Sequence, residues 1–255
     1  MSLLAVRHLS KAYGAVQALA DVSFTLAAGE SLAMIGPNGA GKSTCFNILN
    51  GQVEPDAGAV ELEGRSLAGL RAHRIWRLGV GRTFQIAATF GSMTVRENVQ
   101  MALLSHHRRL GSLFSAASRA YREEADDLLA QVGMREQARR PCAVLAYGDL
   151  KRVELAVALA GRPRVLLMDE PTAGMAPAER SELMQLVTGM ARKSNIGVLF
   201  TEHDMDVVFR HADRVIVLAG GALIAQGLPR EVRMNPRVRE VYLGGDLLAE
   251  ARANA

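Results

Sequence analysis

The chain has only two cysteines, Cys45 and Cys142, and no apolar run long enough to cross a bilayer. Two thiols exclude a disulfide framework and are too few for a cysteine-based zinc site. The longest uncharged apolar stretch, 215–228, is interrupted by Gly220 and Gly221 and is too short for a membrane helix. The first residues also lack the basic and apolar regions of a signal peptide. We therefore expect a cytoplasmic chain.

Neither an internal repeat nor a low-complexity tract divides the 255 residues. A hydrophobic content of 49% can form a substantial core, and the length fits one large or two small domains. The formal net charge is +4, but acidic residues are mixed along the chain. This balance suits anionic ligands and does not indicate DNA binding.

One glycine-rich segment matches the phosphate-binding pattern G-x-x-x-x-G-K-[ST]. Its residues are Gly36, Pro37, Asn38, Gly39, Ala40, Gly41, Lys42 and Ser43, followed by Thr44. In such a loop, backbone N–H groups, the lysine ammonium and a Mg2+-coordinating hydroxyl all meet phosphate charge. A strand over 31–35 and a helix over 44–50 are predicted on either side, and a helix N-terminus favours phosphate. This context favours an ATP site over a glycine turn that binds nothing.

An acidic pair and a histidine follow two predicted strands. Asp169 and Glu170 close the apolar run 165–168, and His203 follows the run 196–200. At these positions Asp169 can bind Mg2+, and Glu170 can polarise the water that attacks the γ-phosphate. His203 can reach the γ-phosphate and the same water. The alternatives are a solvated acidic pair and a structural histidine, but the phosphate loop favours catalysis.

Two further side chains are candidates on position alone. Gln85 stands shortly before a region, 94–160, that is predicted to be helical. This position suits a sensor that touches Mg2+ and the attacking water, although loop glutamines are common. Tyr13 can stack on adenine, and the alternative is an ordinary core or surface aromatic. The basic stretch from His106 to Arg122 indicates a solvated face, or a contact with a membrane protein or lipid headgroups.

The order of predicted elements indicates an α/β fold. An antiparallel layer is suggested by short predicted strands at 4–9, 22–26, 31–35 and 60–62, which are separated by glycine turns. Residues 94–160 are predicted to be helical, and Thr94 and Glu97 have capping-box spacing. The expected helices there are 94–104, 120–131 and 149–160. The strands 165–168 and 196–200 with the helix 178–193 then predict a parallel sheet with helices on both faces and ligand at the carboxyl ends of the strands.

These motifs occur in the order found in ATP-binding-cassette ATPase subunits, which the chain resembles over essentially its whole length. The segment that resembles the family's signature loop, normally Leu-Ser-Gly-Gly-Gln, is Leu145, Ala146, Tyr147, Gly148 and Asp149. The sequence departs from the family pattern at Ala146, Asp149 and Ala176. The resemblance implies one domain over 1–255, with a P-loop NTPase core, a mostly parallel sheet, an N-terminal antiparallel β layer and a helical subdomain at about 91–160. It also implies a dimer in which each signature segment faces ATP bound by the other subunit.

A finer resemblance rests on the segments 81–85, 202–205, 235–238 and 241–244. They resemble the ATPases of branched-chain amino acid importers, particularly the longer of two types. The resemblance implies a peripheral ATPase on the cytoplasmic face of the inner membrane. Its partners would be integral membrane permease subunits, a second identical or homologous ATPase and, indirectly, a periplasmic or extracytoplasmic binding protein.

Several alternatives to this interpretation stay open. They are a lipopolysaccharide or lipid exporter, a urea or amide importer, a soluble ATPase acting on nucleic acid or ribosomes, and a module that holds ATP without turnover. Soluble relatives tend to carry coiled coils, zinc cysteines or two cassettes, which this sequence lacks. We therefore expect no nucleic-acid partner.

Overall fold

The structure is a computed structural model that describes residues 2–83, 89–107 and 121–241. Within these ranges the strands are β1 (Leu4–Tyr13), β2 (Val16–Leu26), β3 (Ser31–Ile35), β4 (Ala57–Leu62), β5 (Arg65–Ser66), β6 (Val80–Thr83), β7 (Val165–Asp169), β8 (Gly197–Thr201), β9 (Arg214–Ala219) and β10 (Ala222–Gly227). The α-helices are α1 (Lys42–Leu49), α2 (Ala72–Arg77), α3 (Val95–His106), α4 (Arg122–Gln131), α5 (Tyr147–Leu159), α6 (Pro177–Ser194), α7 (Met205–His211) and α8 (Pro229–Met234).

The N-terminal strands form the expected antiparallel layer, in the order β2-β1-β4-β5. β1 and β2 pair from Leu4 opposite Leu26 to Tyr13 opposite Val16, with several register shifts between. These irregularities let β1 continue beyond Leu9, where we expected it to end. The hairpin therefore carries Tyr13 to the end of the sheet.

The second sheet has six strands in the order β10-β9-β3-β8-β7-β6. β6, β7, β8, β3 and β9 run parallel, and β10 pairs antiparallel with β9 at one edge. The apolar stretch 215–228 forms most of the β9–β10 hairpin, which turns at Gly220 and Gly221, both with positive φ. Among the residues described, no helix combines the length and apolar character needed to cross a membrane.

The six-stranded sheet separates two hydrophobic clusters, because successive strand residues point to opposite faces. In β3, Ala33 and Ile35 join the cluster with α3 to α7, whereas Leu32 and Met34 join the cluster with α1 and the antiparallel sheet. One face is thus covered by helices, and the other is shared by α1 and the second sheet. The prediction of helices on both faces therefore holds, with α1 and the predicted antiparallel layer sharing the second face.

The helices α3, α4 and α5 lie between β6 and β7 in the chain and pack on one another. Thr94 and Glu97 form the predicted capping box: the Thr94 N–H donates to Glu97 Oε2 at 2.7 Å and Glu97 N–H donates to Thr94 Oγ1 at 3.3 Å. α5 begins at Tyr147, two residues before the expected start, because Ala146 is the extended residue that precedes the first turn. The short helices α2, α7 and α8 were not predicted.

Candidate nucleotide-hydrolysing site

The phosphate loop joins β3 to α1 and is packed closely against neighbouring strands. Gly41 immediately precedes α1 with φ 103°, and a Cβ there would lie 2.3 Å from the Ala18 carbonyl oxygen. A Cβ at Gly36 would lie 2.2 Å from the Leu218 carbonyl oxygen. These distances are shorter than any allowed contact, so glycine is required at both positions. Pro37, Asn38 and Gly39 form the exposed tip of the loop, while Ala40 is buried.

Lys42 begins α1 and turns back across the loop. Its ammonium donates to the carbonyl oxygens of Gly36 at 2.6 Å and Pro37 at 3.1 Å. Burial lowers the pKa of Lys42, and the nearby carboxylates of Glu170 and Asp169 act in the opposite direction. The loop carbonyls thus hold a partly desolvated ammonium close to two acids, and phosphate oxygens would be stronger acceptors for it.

Oxygen ligands that fit Mg2+ lie beside this lysine. Ser43 is exposed in the first turn of α1, and Asp169 ends β7 with its carboxylate half-buried. Thr201 Oγ1 donates to Asp169 Oδ1 at 2.8 Å, and Arg82 Nη2 lies 3.3 Å from Asp169 Oδ2. No cluster of three or more metal-ligating His, Cys, Asp or Glu occurs in the described part of the chain. Mg2+ commonly binds through one or two protein oxygens plus phosphates and water, which this small donor set allows.

Glu170 and His203 are in direct contact. His203 Nε2 and Glu170 Oε1 are 2.8 Å apart, with His203 half-exposed. Glu170 has φ 47°, a left-handed conformation that costs a non-glycine residue roughly 1–3 kcal/mol. Its N–H points toward Thr201, with the Thr201 carbonyl oxygen at 3.2 Å and Oγ1 at 3.1 Å. This strained turn directs the carboxylate to the end of the sheet, where His203 meets it.

The structure therefore brings only some of the predicted site residues together. The structure brings together Lys42, Asp169, Glu170 and His203 at the carboxyl ends of β3, β7 and β8. Tyr13 stands half-exposed at the end of β1, in the other sheet, with Lys11 Nζ 5.7 Å from the centre of its ring. Gln85 lies outside the described residues.

The signature-like segment 145–149 forms the start of α5 and the turn before it. Tyr147 is exposed and Gly148 is buried. Gly148 packs beside Met175 and Glu179, and Tyr147 beside Gly174, so the segment adjoins the stretch that follows Glu170. Ala146 stands at the helix N-cap and makes no side-chain capping bond.

Two residues of the site were not predicted. Arg82 also donates to Asn47 Oδ1 at 2.8 Å, which ties β6 and β7 to α1. Thr201 is fully buried and pairs with Asp169 in the sheet register. A predicted parallel pairing of β7 with β8 would have placed Thr201 beside Asp169. The two contacts of Arg82 span 35 and 87 positions of the sequence, so no local pattern could have indicated them.

Comparisons with known proteins agree with this geometry. Residues 19–173 match the family model described as ABC transporter. Over 252 residues the chain is 40% identical to the high-affinity branched-chain amino acid transport ATP-binding protein LivG of Salmonella typhimurium, covering 95% of this chain and 98% of that protein. The chain is an ABC transporter ATPase.

Further similarities support the same assignment. Residues 222–247 of the cassette match the family model described as branched-chain amino acid ATP-binding cassette transporter. The lipopolysaccharide export system ATP-binding protein LptB of Haemophilus influenzae is 34% identical, over 96% of this chain and 98% of that protein. The crystal structure of the ADP conformation of an ABC transporter cassette has a TM-score of 0.86 and 30% identity, covering 96% of this chain and 99% of that one.

Membership of this family establishes the fold and the chemistry. The six-stranded sheet with its phosphate loop is a P-loop NTPase core, and the antiparallel sheet is the N-terminal β layer. The cassette binds ATP or ADP and is an ATP hydrolase that serves a transporter.

Proposed function

We propose that the chain is the ATP-hydrolysing subunit of an importer for branched-chain or related amino acids. One observation carries the substrate class: the C-terminal residues 222–247 match a branched-chain cassette model, in a chain 40% identical to LivG. Substrate would contact the permease and an extracytoplasmic binding protein, so this chain supplies the energy-coupling step.

We propose one role for each of the site residues. The N–H groups of the loop 36–43 and the Lys42 ammonium bind the phosphates, and Tyr13 stacks on adenine. Glu170 accepts the proton of the attacking water, a role worth about 10² to 10⁴ in rate. His203, at 2.8 Å from Glu170, orients that carboxylate and the γ-phosphate. Gln85 contacts the same water.

Ser43, Asp169 and Gln85 would hold Mg2+. When bound there, the ion neutralises charge on the β- and γ-phosphates. Asp169 is prepared for this by Thr201 and Arg82, which fix one carboxylate oxygen each. Thr44, next to Ser43 in the first turn of α1, contributes its N–H to phosphate binding.

Turnover requires a second ATPase subunit, identical or homologous, in our proposal. The segment 145–149 of each subunit faces the ATP of the other. Ala146 offers no hydroxyl, and Asp149 places a carboxylate in the first turn of α5, so phosphate contact rests on backbone N–H groups of that turn. Ala176, which precedes α6 where the family usually has Asp or Asn, likewise leaves coupling between the two sites to the backbone.

The permease would dock in an apolar groove of about 420 Å³ between α2, α3 and α5. Ala72, Trp76, Val80, Ala102 and Val157 supply its apolar lining. The groove borders β6, whose chain continues directly to Gln85. A membrane segment seated there could therefore act on the hydrolytic site.

The proposal also includes the domain organisation of the chain and its location in the cell. Residues 1–255 act as one cassette domain in which about 91–160 form a helical subdomain, and α3 to α5 pack on one another in support of this. The basic stretch 106–122 lies in this subdomain. The cassette would be held peripherally at the cytoplasmic face of the inner membrane by its permease.

The test is reconstitution of the cassette with its permease, a second ATPase subunit and binding protein in liposomes. We expect ATP-dependent uptake of leucine, isoleucine and valine, together with an ATPase rate above that of the isolated chain. Ala102→Glu should abolish permease binding by placing a charge in the groove, whereas Ala130→Glu, on the exposed side of α4, should not. Stimulation by DNA or ribosomes without permease binding would contradict the proposal.

The 34% identity to LptB makes lipopolysaccharide export the second candidate. If the cassette serves lipopolysaccharide export, the reconstituted system should show ATP-driven lipid extraction and no amino-acid uptake. Uptake of urea or short amides in preference to leucine would assign the cassette to that importer class. ATP binding with no hydrolysis in the complete assembly would identify a non-hydrolytic module.

A further inference from the structure

A buried acid, Glu202, lies between the end of β8 and His203. Glu202 is 5% exposed, and its Oε1 accepts two hydrogen bonds from Thr172. The Thr172 N–H donates at 2.8 Å and the Thr172 hydroxyl at 2.7 Å. Thr172 is itself 1% exposed and follows Glu170 by two positions. The contact thus joins the segments that carry Glu170 and His203.

The two segments are also joined on their other side. Thr201, at the end of β8, bonds to the Asp169 carboxylate and receives the Glu170 N–H. Glu202, the next residue, holds Thr172. The contact between Glu170 and His203 therefore lies between two links that join the β7 segment to the β8 segment, and Glu202 provides one of them.

Burying a carboxylate is costly unless hydrogen bonds compensate for lost water. Two donors converging on one oxygen fix the position of the Thr172 backbone as well as its side chain. Catalytic groups must be held tightly, since a displacement of about 1 Å can cost roughly 10²-fold in rate. The Glu170 backbone is in a strained left-handed conformation, which persists only where surrounding contacts hold it.

We propose that Glu202 is a positioning residue for ATP hydrolysis: by accepting both Thr172 donors it keeps Glu170 and His203 aligned. This inference rests on the hydrolytic roles proposed above for those two residues. Glu202 acts through them and does not touch nucleotide. ATP affinity depends on the phosphate loop between β3 and α1 and on Tyr13 at the end of β1, so loss of Glu202 should affect turnover and leave binding intact.

The test compares variants of the complete chain, with the second ATPase subunit present, by ATP binding and by single-turnover hydrolysis of γ-labelled ATP. Glu202→Ala and Thr172→Val should each lower the hydrolysis rate about 10- to 100-fold, with the Kd for ATP nearly unchanged. Glu202→Gln and Thr172→Ser keep the acceptor and the hydroxyl, and should recover most of the rate. Thr188→Val, which removes a buried hydroxyl within α6, is the matched control and should hydrolyse ATP normally.

Combining Glu202→Ala with Thr172→Val tests whether both act through one contact. The double variant should be no slower than the slower single variant, because residues that share one interaction are not additive. Unchanged rates, a Kd that rises in parallel with the rate loss, or fully multiplicative losses would overturn the proposal. If Glu202→Ala does not fold, the comparison of Thr172→Val with Thr172→Ser provides the same test.

Failure of this inference can be told from failure of the proposed function. Glu170→Gln, measured alongside, reports on the catalytic role itself. If Glu170→Gln abolishes hydrolysis while Glu202→Ala has no effect, only the positioning role is wrong. If Glu170→Gln hydrolyses ATP normally, the catalytic assignment on which both rest is wrong.

Discussion

At the scale of single residues, hydrogen bonds in the site compensate for the hydration that its buried charges have lost. Lys42 has lost part of its hydration and bonds to two loop carbonyls, with Asp169 and Glu170 nearby. Such an ammonium needs no large movement to meet phosphate, because its present acceptors belong to the phosphate loop itself. The positive charge of Lys42 therefore lies within the loop that we propose binds the phosphates.

Lys42→Ala should abolish this contact. We expect hydrolysis to fall by at least about 10², the typical cost of removing one group that stabilises developing charge, and ATP affinity to fall as well. Steady-state ATPase assay and nucleotide titration measure both effects. Lys193→Ala removes an exposed lysine near the end of α6 and should change neither. Normal turnover in a folded Lys42→Ala protein would contradict the phosphate-loop assignment.

Glu202 makes a pH dependence predictable. Burial raises the pKa of Glu202 above its ordinary value of 4.5, although hydrogen bonds from Thr172 oppose this. The ionised form is thus penalised in the folded state. The penalty is absent well below pH 4.5 and grows as pH rises through the folded pKa, so this group loses stabilising free energy as pH increases.

Glu202→Gln should remove that dependence. The melting temperature of the variant, relative to the native chain, should rise between pH 4 and pH 8, because only the native chain carries the penalty of ionising a buried carboxylate. Thermal denaturation of both proteins across this range checks the result. A difference that stays constant with pH would show that Glu202 does not titrate with a raised pKa.

At the scale of elements, the loop between β3 and α1 depends on close packing against β2. Gly41→Ala would force a left-handed residue and a contact of 2.3 Å with the Ala18 carbonyl. Backbone strain alone should cost about 1–3 kcal/mol, and nucleotide binding should weaken because the loop must shift. Denaturant unfolding and ATP titration measure the two effects.

Gly189→Ala is the matched control for that substitution. Gly189 lies in the middle of α6, and a Cβ there would meet nothing within 4 Å. Alanine should therefore stabilise the helix by up to about 1 kcal/mol. Equal destabilisation by both substitutions would mean that the loop is not tightly constrained.

The elements that bear the site were largely predictable from local pattern. β3, over Ser31–Ile35, has the predicted bounds because its five apolar or small residues are all buried and glycine follows directly. The α3 capping box was also visible, since Thr94 and Glu97 interact across three positions. Longer-range partnerships were not. The contacts of Arg82 with Asp169 and of Glu202 with Thr172 depend on strand order, which sequence spacing does not reveal.

At the scale of the whole molecule, the central sheet connects the proposed hydrolytic edge with the groove in which we propose that the permease docks. The carboxyl ends of β7 and β8 carry Asp169, Glu170 and His203, while β6, next to β7, borders the apolar groove. A movement at the groove can thus reach the acid pair through adjacent strands. A solved ABC transporter cassette with 30% identity and a TM-score of 0.86 shares the fold of the chain over 96% of its length.

The central claim is that Glu170 activates water in a site that closes between two subunits. Glu170→Gln keeps the shape of the side chain and removes its charge, and Glu123→Gln, exposed on α4, is the control. The decisive measurement is single-turnover ATP hydrolysis with size-exclusion chromatography in ATP, with the partner ATPase present. We predict intact ATP binding, a rate lowered by about 10² or more and a persistent ATP-bound dimer. Hydrolysis at the native rate would contradict the role of Glu170, and a mutant that binds ATP yet stays monomeric would contradict closure between subunits.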